Sequence, residues 1–329
     1  MNQTLAVGVM LPREVPPADV ARVALACEAA GFDEVWVVED CFFTGGLTTA
    51  ALTLAATEHV VVGIGILPAV VRNAAFTAME LATLAGAFPG RVHAGLGHGV
   101  GSWMTQVHAA PGSWLTSLRE TTDAVRDLLH GGTVSTVGDH VRLDDVALQF
   151  PPDPPPLLSL GVRGPRSVEV AGRSADGLVL AEPTPPTYVA AARTRLREAA
   201  DDSDRPGHRR VTAYTWALTG AHVDTDERDE VLRARCVDAI RHGGIDAHVA
   251  DLDGPSQEHL AAVRADLEPL RDDVLDLLAL RGDAEHVRAG VAARHAAGAD
   301  CVVLVPPRVD AGVDVILADV AALGAALRG

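Results

Sequence analysis

The 329-residue sequence lacks the long apolar segments that place a protein in or across a membrane. A membrane-spanning helix needs a run of about 18 or more apolar residues, and the sequence contains none. The amino terminus enters a strand-like pattern directly, without the basic and apolar regions of a signal peptide. We therefore expect a cytoplasmic protein that does not act at a membrane.

Basic residues are also scarce, with 27 Lys and Arg against 44 Asp and Glu and a formal net charge of -17. They form no cluster that would attract the phosphates of a nucleic acid or an anionic lipid surface. Because 48% of the residues are hydrophobic, the chain has ample material for a core, and disorder is not expected. The composition indicates a globular protein for which nucleic acid and anionic membranes are poor partners.

Several short motifs of known chemistry are missing as well. The four cysteines lie far apart, without a CxxC pair or a histidine at metal-ligand spacing: Cys27, Cys41, Cys236 and Cys301. This pattern predicts reduced thiols and no metal site, and it predicts that Cys41 is inert because nothing near it in sequence would lower its pKa. No GxSxG elbow is present, which argues against a serine hydrolase.

What the sequence does contain is a regular alternation of strand-length apolar runs with helical stretches. The predicted strands are 5–11, 34–38, 60–67, 91–96, 157–161, 177–181, 211–218 and 301–305. The clearest predicted helices are 17–30, 74–87, 117–129 and 313–327. A strand, a helix and a second strand in that order indicate that the strands are parallel.

The alternation, with no internal linker, predicts one α/β domain over residues 1–329, a (β/α)8 or TIM barrel. Two stretches exceed what a barrel needs: a polar, proline-rich insert at 131–156 before the fifth strand, and a mostly helical region at 224–295 between the seventh and eighth. A doubly wound sheet fits the same alternation. Its first turn normally carries GxGxxG, however, and Pro12, Arg13 and Glu14 offer no glycine there.

In a barrel the reactive side chains lie where the strands end, so few residues qualify. Glu39 and Asp40 close the second strand, and because adjacent side chains point to opposite sides, one carboxylate would face the barrel mouth. The alternative is a solvated acidic turn. His98 ends the fourth strand between Gly97 and Gly99, and it is either a proton donor or an exposed turn residue.

Glycines interrupt the third predicted strand. Gly63 and Gly65, followed by Ile66, indicate a bulge or the close approach of a flat ligand ring to the backbone. A barrel interior that requires small side chains would explain the same two glycines. Both interpretations fit the sequence.

A second glycine-rich segment, GVRGPRS, joins the fifth strand to a helix at residues 161–167. Its glycines would free backbone N–H groups, the helix start adds partial positive charge, and Arg163 and Arg166 add full charges. These properties suit a phosphate group, although a plain turn with solvated arginines fits the same residues. Ala181 and Glu182 end the sixth strand, which would lie beside this turn.

Taken together, these segments resemble the luciferase-like monooxygenase superfamily, whose members are TIM barrels that use a flavin or the deazaflavin coenzyme F420. The resemblance covers nearly the whole chain and rests on AGFDEVWVVED, TEHVVVGIGILP, RNAAFTAMELATLAG, GRVHAGLGHG, the LRET helix, GVRGPRSVEVAGRSADGLVLAEP and AGADCVVLVPP. The segments RNAAFTAMELATL and GxRGPRS are most similar to the F420-dependent oxidoreductase branch.

The resemblance implies a set of site residues. Those implied to bind the cofactor are Glu39, Gly65, Ile66, Gly97, Gly161, Val162, Arg163, Gly164, Ala181 and Glu182. It also implies a non-prolyl cis peptide at Gly65–Ile66, behind the ring, and a site for the cofactor phosphate at the 161–164 turn. His98 matches a position where some sugar-phosphate dehydrogenases of the superfamily keep a catalytic glutamate. Asp40 stands where many members have histidine, and either His98 or Asp40 is implied to handle the substrate proton.

The function that the resemblance implies is hydride transfer between coenzyme F420 and a small organic metabolite. One alternative is a monooxygenase that uses reduced FMN and oxygen, with a separate flavin reductase as its partner. A second alternative is a barrel that binds a flavin without turnover, because Asp40 replaces the usual histidine. The resemblance also implies a homodimer, whereas no motif specifies the substrate.

Overall fold

The structure is a computed structural model that describes residues 5–220, 222–242, 244–308 and 312–328. Its strands are β1 Ala6–Met10, β2 Glu34–Val37, β3 Val61–Pro68, β4 Val92–Gly97, β5 Val134–Val137, β6 Arg142–Val146, β7 Leu157–Gly161, β8 Gly177–Leu180, β9 Arg210–Thr219, β10 Ala279–Gly282 and β11 Cys301–Val305. Each of the predicted strands is present, with its ends within one residue of the predicted ones.

The helices are α1 Val20–Ala29, α2 Gly46–Ala56, α3 Ala74–Ala87, α4 Gly101–Gln106, α5 Trp114–Leu129, α6 Pro165–Ser174, α7 Pro186–Asp201, α8 Thr225–His242, α9 Asp246–Val249, α10 Gly254–Arg264, α11 Asp272–Leu278, α12 Ala284–Ala296 and α13 Val313–Arg328. A short 3-10 turn, Pro17–Asp19, precedes α1. Helix α5 begins before its predicted start because the Ser113 side chain caps it by accepting from the backbone N–H of Thr116. Within the described ranges, no helix is both long and apolar enough to cross a membrane.

Eight of the strands form a closed parallel barrel in the order β11, β1, β2, β3, β4, β7, β8, β9. The ring closes because β9 pairs with β8 on one side and with β11 on the other. The prediction of a TIM barrel is therefore confirmed. The carboxyl ends of all eight strands meet at one rim, where the connecting loops can build a site.

Two segments outside the barrel differ from the sequence prediction. The insert at 131–156 contains an antiparallel hairpin, β5 and β6, where only an irregular excursion was expected. The region 224–295 contains β10, which the mostly helical prediction missed because its four residues, ALRG, carry no strand-length apolar run. Strand β10 pairs with residues 216–219 of β9, beyond the stretch of β9 that pairs with β8.

Trp36 on β2 fills the barrel interior next to β3. A Cβ atom at Gly63 would lie 2.2 Å from Cδ2 of Trp36, so packing requires this glycine. The indole N–H of Trp36 donates to Oε2 of Glu34 at 2.8 Å. Arg210 and the Cys301 thiol also donate to this buried carboxylate. For Gly63, the interpretation as a small residue of the barrel interior is therefore correct.

Candidate active site

A cavity of about 650 Å³ opens at the carboxyl rim of the barrel. Eleven of the predicted site residues line it: Glu39, Asp40, Gly65, Ile66, His98, Gly161, Val162, Arg163, Gly164, Ala181 and Glu182. Small-molecule sites are typically clefts of roughly 300 to 1,000 Å³, so the volume suits a ligand of that class. The predicted residues, which are scattered over much of the chain, thus share one cavity.

The Gly65–Ile66 peptide bond is cis, as the family resemblance implies. It lies in a bulge of β3, where the pairing with β4 changes register between Ile64 and Leu67. The Ile66 side chain packs on glycines of β4 and β7: a Cβ atom would lie 2.4 Å from its Cγ2 at Gly161 and 3.0 Å from its Cδ1 at Gly97. The bulge therefore presents its backbone and Ile66 to the cavity.

Gly97 is the one predicted site residue that does not line the cavity. Its Cα lies behind the Ile66 side chain, and an added Cβ would also approach the carbonyl oxygen of Gly161 at 2.7 Å. A direct contact of Gly97 with a ligand stays a prediction. Gly97 leaves room for Ile66.

Gly65 faces Tyr214, which projects from β9 across the barrel. A Cβ atom at Gly65 would lie 2.3 Å from the Tyr214 hydroxyl oxygen, so no larger residue fits without displacing the tyrosine. The hydroxyl is buried without a hydrogen-bond partner among the described residues, and burial raises the pKa of Tyr214 well above its ordinary value. Both residues line the cavity, so this polar atom lies next to the bulge.

Glu39 is held in place by three N–H donors. The Arg72 guanidinium binds both of its carboxylate oxygens, with an Nη2 to Oε2 distance of 2.7 Å. The backbone N–H of Gly46, at the start of α2, donates to Oε2 at 2.7 Å. Since its side chain is only 11% exposed, Glu39 already has its main contacts within the protein.

Asp40 forms an ion pair with Arg13, which follows β1. The Nη1 to Oδ2 distance is 2.6 Å, and both side chains reach solvent. Arg13 also contacts Glu14 at 3.2 Å, and its guanidinium lies 4.7 Å from the ring centroid of Phe43. Two carboxylates therefore neutralise the one guanidinium.

His98 is a half-buried imidazole at the cavity wall. Its Nε2 lies 3.3 Å from the Ser167 hydroxyl, and Nδ1 is buried without a hydrogen-bond partner among the described residues. Trp114 meets the ring edge-on at a centroid distance of 6.0 Å. Burial lowers the pKa of His98, so the imidazole is neutral near pH 7 and retains one nitrogen that accepts a proton.

The turn after β7 leads directly into α6. Gly164 caps the helix, and Pro165 occupies its first turn. Arg163, Gly164 and Ser167 line the cavity, so the positive end of the helix dipole lies at the cavity wall. The anion site at this turn stays a prediction.

Two aromatic rings support this turn from behind. The Tyr188 hydroxyl donates to the Arg163 carbonyl at 3.2 Å, and the Tyr188 ring stacks on His248 of α9 at 4.5 Å. His248 Nδ1 lies 2.7 Å from the Pro183 carbonyl, which requires Nδ1 to be the donor. Burial lowers the pKa of His248 to about 4, which keeps the ring neutral. Sequence reasoning did not identify this pair, since the contact joins distant segments.

Glu182 lies half-buried at the end of β8. Burial raises the pKa of its carboxyl group, Arg163 lowers it, and Asp40 raises it further.

Cys41 follows Asp40 but is not among the cavity-lining residues. Burial and the charges of Glu39 and Asp40 raise the pKa of the Cys41 thiol, which fits the prediction of an inert cysteine.

Several lining residues that sequence reasoning missed come from β1, β9, β11, α8 and the loops after β1 and β11. They include Met10, Arg13, Tyr214, Trp216, Arg235, Val305 and Pro306. Tyr214 and Trp216 are two apart on β9 and so point to the same face, a signal that the alternation of the strand could have provided. Arg235 lies on α8, outside the barrel, and no sequence motif marks it.

The cavity therefore has two distinct walls. We call the first the glycine wall, formed by Gly65, Ile66, Gly161 and Gly164 of β3 and the β7 turn. We call the second the arginine wall, formed by Arg13, Trp216, Arg235 and Pro306. In a ring of eight strands each strand faces the one four places along, so β3 faces β9, β7 faces β1 and β4 faces β11.

The glycine wall fits a planar ring that carries a phosphate-bearing chain. The bulge offers backbone and Ile66 instead of a projecting polar side chain, and a ring can lie flat against such a surface. The α6 terminus offers a positive dipole end to a phosphate. The hydroxyl of Tyr214 and Nδ1 of His98 add two buried polar atoms without partners among the described residues.

The fold and the cavity define a (β/α)8-barrel protein with an open cavity at the carboxyl rim. The chain belongs to the luciferase-like monooxygenase family, which it matches over residues 4–301. It is 27% identical over 199 residues to a 5,10-methylenetetrahydromethanopterin reductase of Methanolobus tindarius, covering 60% of this chain and 61% of that protein.

Two further comparisons give a sequence relative and a structure of similar fold. The chain is 27% identical over 227 residues to an F420-dependent glucose-6-phosphate dehydrogenase of Nakamurella multipartita, covering 64% of this chain and 65% of that protein. The fold is similar to that of the coenzyme F420-dependent tetrahydromethanopterin reductase of Methanopyrus kandleri, with a TM-score of 0.79, 20% identity and coverage of 98% and 97% of the two chains. The aligned segments thus span less than two thirds of the two sequence relatives, while the fold matches throughout.

Proposed function

We propose that the protein is a coenzyme F420-dependent oxidoreductase that transfers a hydride to or from a small organic metabolite. The observation that carries the proposal is the glycine wall, which combines a flat bulge at Gly65–Ile66 with a helix terminus next to Arg163 and Gly164. The sequence relatives named for F420 dependence support the choice of coenzyme.

Bound coenzyme F420 would supply the hydride chemistry through its deazaflavin ring. The protein contributes position and charge. Ile66 and the backbone of the β3 bulge would support one ring face, and the turn with Arg163 and Gly164 would bind the phosphate. The substrate would then occupy the space between the ring and the arginine wall, shielded from part of the surrounding water.

His98 is the residue that we propose to move the substrate proton. Its imidazole is neutral near pH 7, lines the cavity and has a buried Nδ1 without a partner in the described part of the chain. Asp40 is paired with Arg13, so we propose that this carboxylate acts in its ionised state and orients the substrate or accepts its proton. Glu39 is engaged by Arg72 and Gly46, which favours a role in shaping the rim over direct contact with the ring.

The decisive experiment is a pair of binding titrations, one with coenzyme F420 and one with reduced FMN. The proposal expects saturable binding of F420, followed by its fluorescence, and weaker binding of reduced FMN. Binding of reduced FMN alone would replace the proposal by the FMN-dependent monooxygenase, which would then require a flavin reductase as partner. Binding without turnover of any alcohol or carbonyl compound in a broad substrate screen would favour the non-catalytic barrel.

The proton-transfer assignment has its own test. Once a substrate is found, His98→Ala is expected to lower kcat by about a hundredfold or more, and the less direct change Asp40→Asn by less. The dissociation constant of the coenzyme should stay within a few-fold in both variants. Unchanged turnover in both would contradict the assignment of His98 and Asp40 as catalytic residues.

We also propose a homodimer. Four exposed apolar side chains lie on α2, α3 and the segment before α3: Leu52, Val71, Phe76 and Met79, which are between 40% and 62% exposed. Burying such a surface against a second copy would remove apolar area from water. Light scattering should give twice the chain mass for the wild type and a smaller value for Phe76→Asp. A monomeric wild type would rule the dimer out.

A further inference from the structure

If the coenzyme binds at the glycine wall as proposed, the barrel geometry leaves the arginine wall to contact the substrate. The bulge of β3 lies opposite β9, and the phosphate turn after β7 lies opposite β1. A ring placed on the glycine wall therefore turns its open face toward β9, β11 and β1. The groups on the arginine wall are those that a substrate would meet.

Arg235 is the distinctive group of this wall. It extends from α8 into the cavity lining, and its Nε–H donates to the Pro307 carbonyl at 2.7 Å. That bond fixes the guanidinium, and among the residues that the structure describes Arg235 has no carboxylate partner in an ion pair. Arg13, the other cation of the arginine wall, is already paired with Asp40 and Glu14.

Arg235 lies among charges of both signs and forms an ion pair with none of them among the described residues. Burial lowers its pKa most, Glu14, Glu182 and Asp238 raise it, and Arg13 lowers it. A partly desolvated guanidinium gains most from a carboxylate or phosphate, because its planar donors can bind two oxygens at once. The sequence contains no lysine, so a permanently charged cationic side chain at this site has to be an arginine.

The surfaces beside Arg235 are apolar. Met10, Trp216, Val305 and Pro306 line the cavity from β1, β9 and the end of β11. Trp216 is 7% exposed and offers an aromatic surface next to the charge. An apolar body with one anionic group would match both features, since the body removes apolar surface from water and the anion meets Arg235.

We propose that Arg235 binds an anionic group, a carboxylate or a phosphate, on a substrate whose remaining body is apolar. The inference rests on the proposed function for the identity of the opposite wall as the coenzyme site. It adds the substrate class, which neither the family nor the names of the relatives supply for this chain. Arg235 is thus a specificity-determining residue.

The test is isothermal titration calorimetry of the full-length protein with benzoate, its uncharged analogue benzamide, and inorganic phosphate. Arg235→Gln removes the charge, and Arg235→Lys keeps the charge but loses the planar pair of donors. Arg119→Gln is the matched control, because Arg119 lies on α5, is 52% exposed and pairs with Asp123. Arg163→Gln reports on anions bound at the coenzyme turn. All titrations are run without coenzyme and repeated with saturating coenzyme F420.

The expected result is tighter binding of benzoate than of benzamide to the wild type, by at least about tenfold. Arg235→Gln should weaken benzoate binding by about tenfold to a hundredfold, the range for charge-assisted contacts, and leave benzamide unchanged. Arg119→Gln should bind all three probes like the wild type. Inorganic phosphate should lose affinity in Arg235→Gln and, without coenzyme, also in Arg163→Gln.

Three outcomes would overturn the inference: equal benzoate affinity in the wild type and Arg235→Gln, no preference of the wild type for any anion over benzamide, or loss of benzoate binding in Arg163→Gln alone. If Arg235→Gln does not fold, Arg235→Lys decides, with a severalfold loss expected and wild-type affinity contradicting the assignment. Failure of F420 to bind would refute the proposed function separately, since the coenzyme-free titrations are interpreted without it.

Discussion

The glycine wall and the arginine wall of the cavity are built by different means. In the glycine wall, backbone and closely packed residues define the surface, and Gly65 and Gly161 have no room for a Cβ atom. In the arginine wall, the ends of long side chains such as Arg13 and Arg235 define it. A surface made of backbone changes little between ligands, whereas side chains can be exchanged singly. The first therefore suits a constant coenzyme and the second a variable substrate.

The largest effect on stability is expected when the carboxylate of Glu39, which binds Arg72 and Gly46, is removed. Glu39→Ala leaves Arg72 and the N–H of Gly46 without their acceptor, which should lower the free energy of unfolding by about 2 to 4 kcal/mol. Urea denaturation would measure it. Arg119→Ala, in an exposed pair with Asp123, should cost less than about 0.5 kcal/mol. Equal effects of the two variants would show that Glu39 is not a structural anchor.

A smaller effect is expected at Gly65 of the glycine wall, which faces Tyr214 of β9 across the barrel. Gly65→Ala should destabilise the fold by about 1 to 3 kcal/mol, because its Cβ would overlap the tyrosine hydroxyl. Adding Tyr214→Phe removes that oxygen and should recover part of the loss. Gly86→Ala on α3, where a Cβ meets no atom within 4 Å, is the control and should not destabilise. No recovery in the double variant would contradict the steric account.

The next prediction concerns how stability depends on pH through His248, whose ring stacks on Tyr188 next to the Arg163 turn. His248 has a pKa of about 4 when folded and about 6.5 when unfolded, so its contribution is complete above pH 6.5 and is lost as the pH falls toward 4. Between about pH 6.5 and about pH 5 the contribution should fall by about 1.5 to 2 kcal/mol. His93, with a pKa of about 3, acts in the same direction.

The measurement is urea unfolding of the wild type and of His248→Phe at both pH values. The variant keeps a ring to stack on Tyr188 and should lose less stability on acidification than the wild type, by that difference. Parallel pH profiles would mean that His248 takes up its proton in the folded state. That result would remove the support for a neutral imidazole behind the turn.

The smallest expected effect concerns the hydroxyl of Tyr188, which reaches the Arg163 carbonyl at 3.2 Å. Tyr188→Phe should weaken coenzyme binding by about twofold to tenfold, the equivalent of one neutral hydrogen bond of about 0.5 to 1.5 kcal/mol. Fluorescence titration with coenzyme F420 would measure it, and benzoate binding at Arg235 should not change. A loss of benzoate affinity of the same size would contradict the separation of the two walls.

The glycine wall could be predicted from the sequence because its parts are short and contiguous. The turn from Gly161 to Gly164 and the pair Gly65–Ile66 each lie at the end of an apolar run, and a parallel barrel brings such ends together. The position of Gly97 behind Ile66 could not be predicted in this way. It depends on how one side chain folds over a neighbouring strand.

The arginine wall was not predicted because its residues come from separate elements without a common motif. Arg235 lies on a helix outside the barrel, and its hydrogen bond to Pro307 joins segments far apart in the chain. The same limit applies to Tyr188 and His248, and to β10, whose strand conformation follows from pairing with β9. Local patterns specify the ring of strands, while tertiary contacts place these groups.

Because of strand β10, the region between β9 and α12 is attached to the barrel at both of its ends. The chain leaves the barrel after β9, forms α8 with Arg235, and returns as β10 to pair with the upper part of the same strand. Departure and return are thus anchored on one strand, and the barrel closes through β8 and β11 without this excursion. The segment between β9 and α12 could therefore be exchanged without altering the pairing of the eight barrel strands. Grafting it from one relative to another should transfer substrate preference while the recipient keeps its own coenzyme.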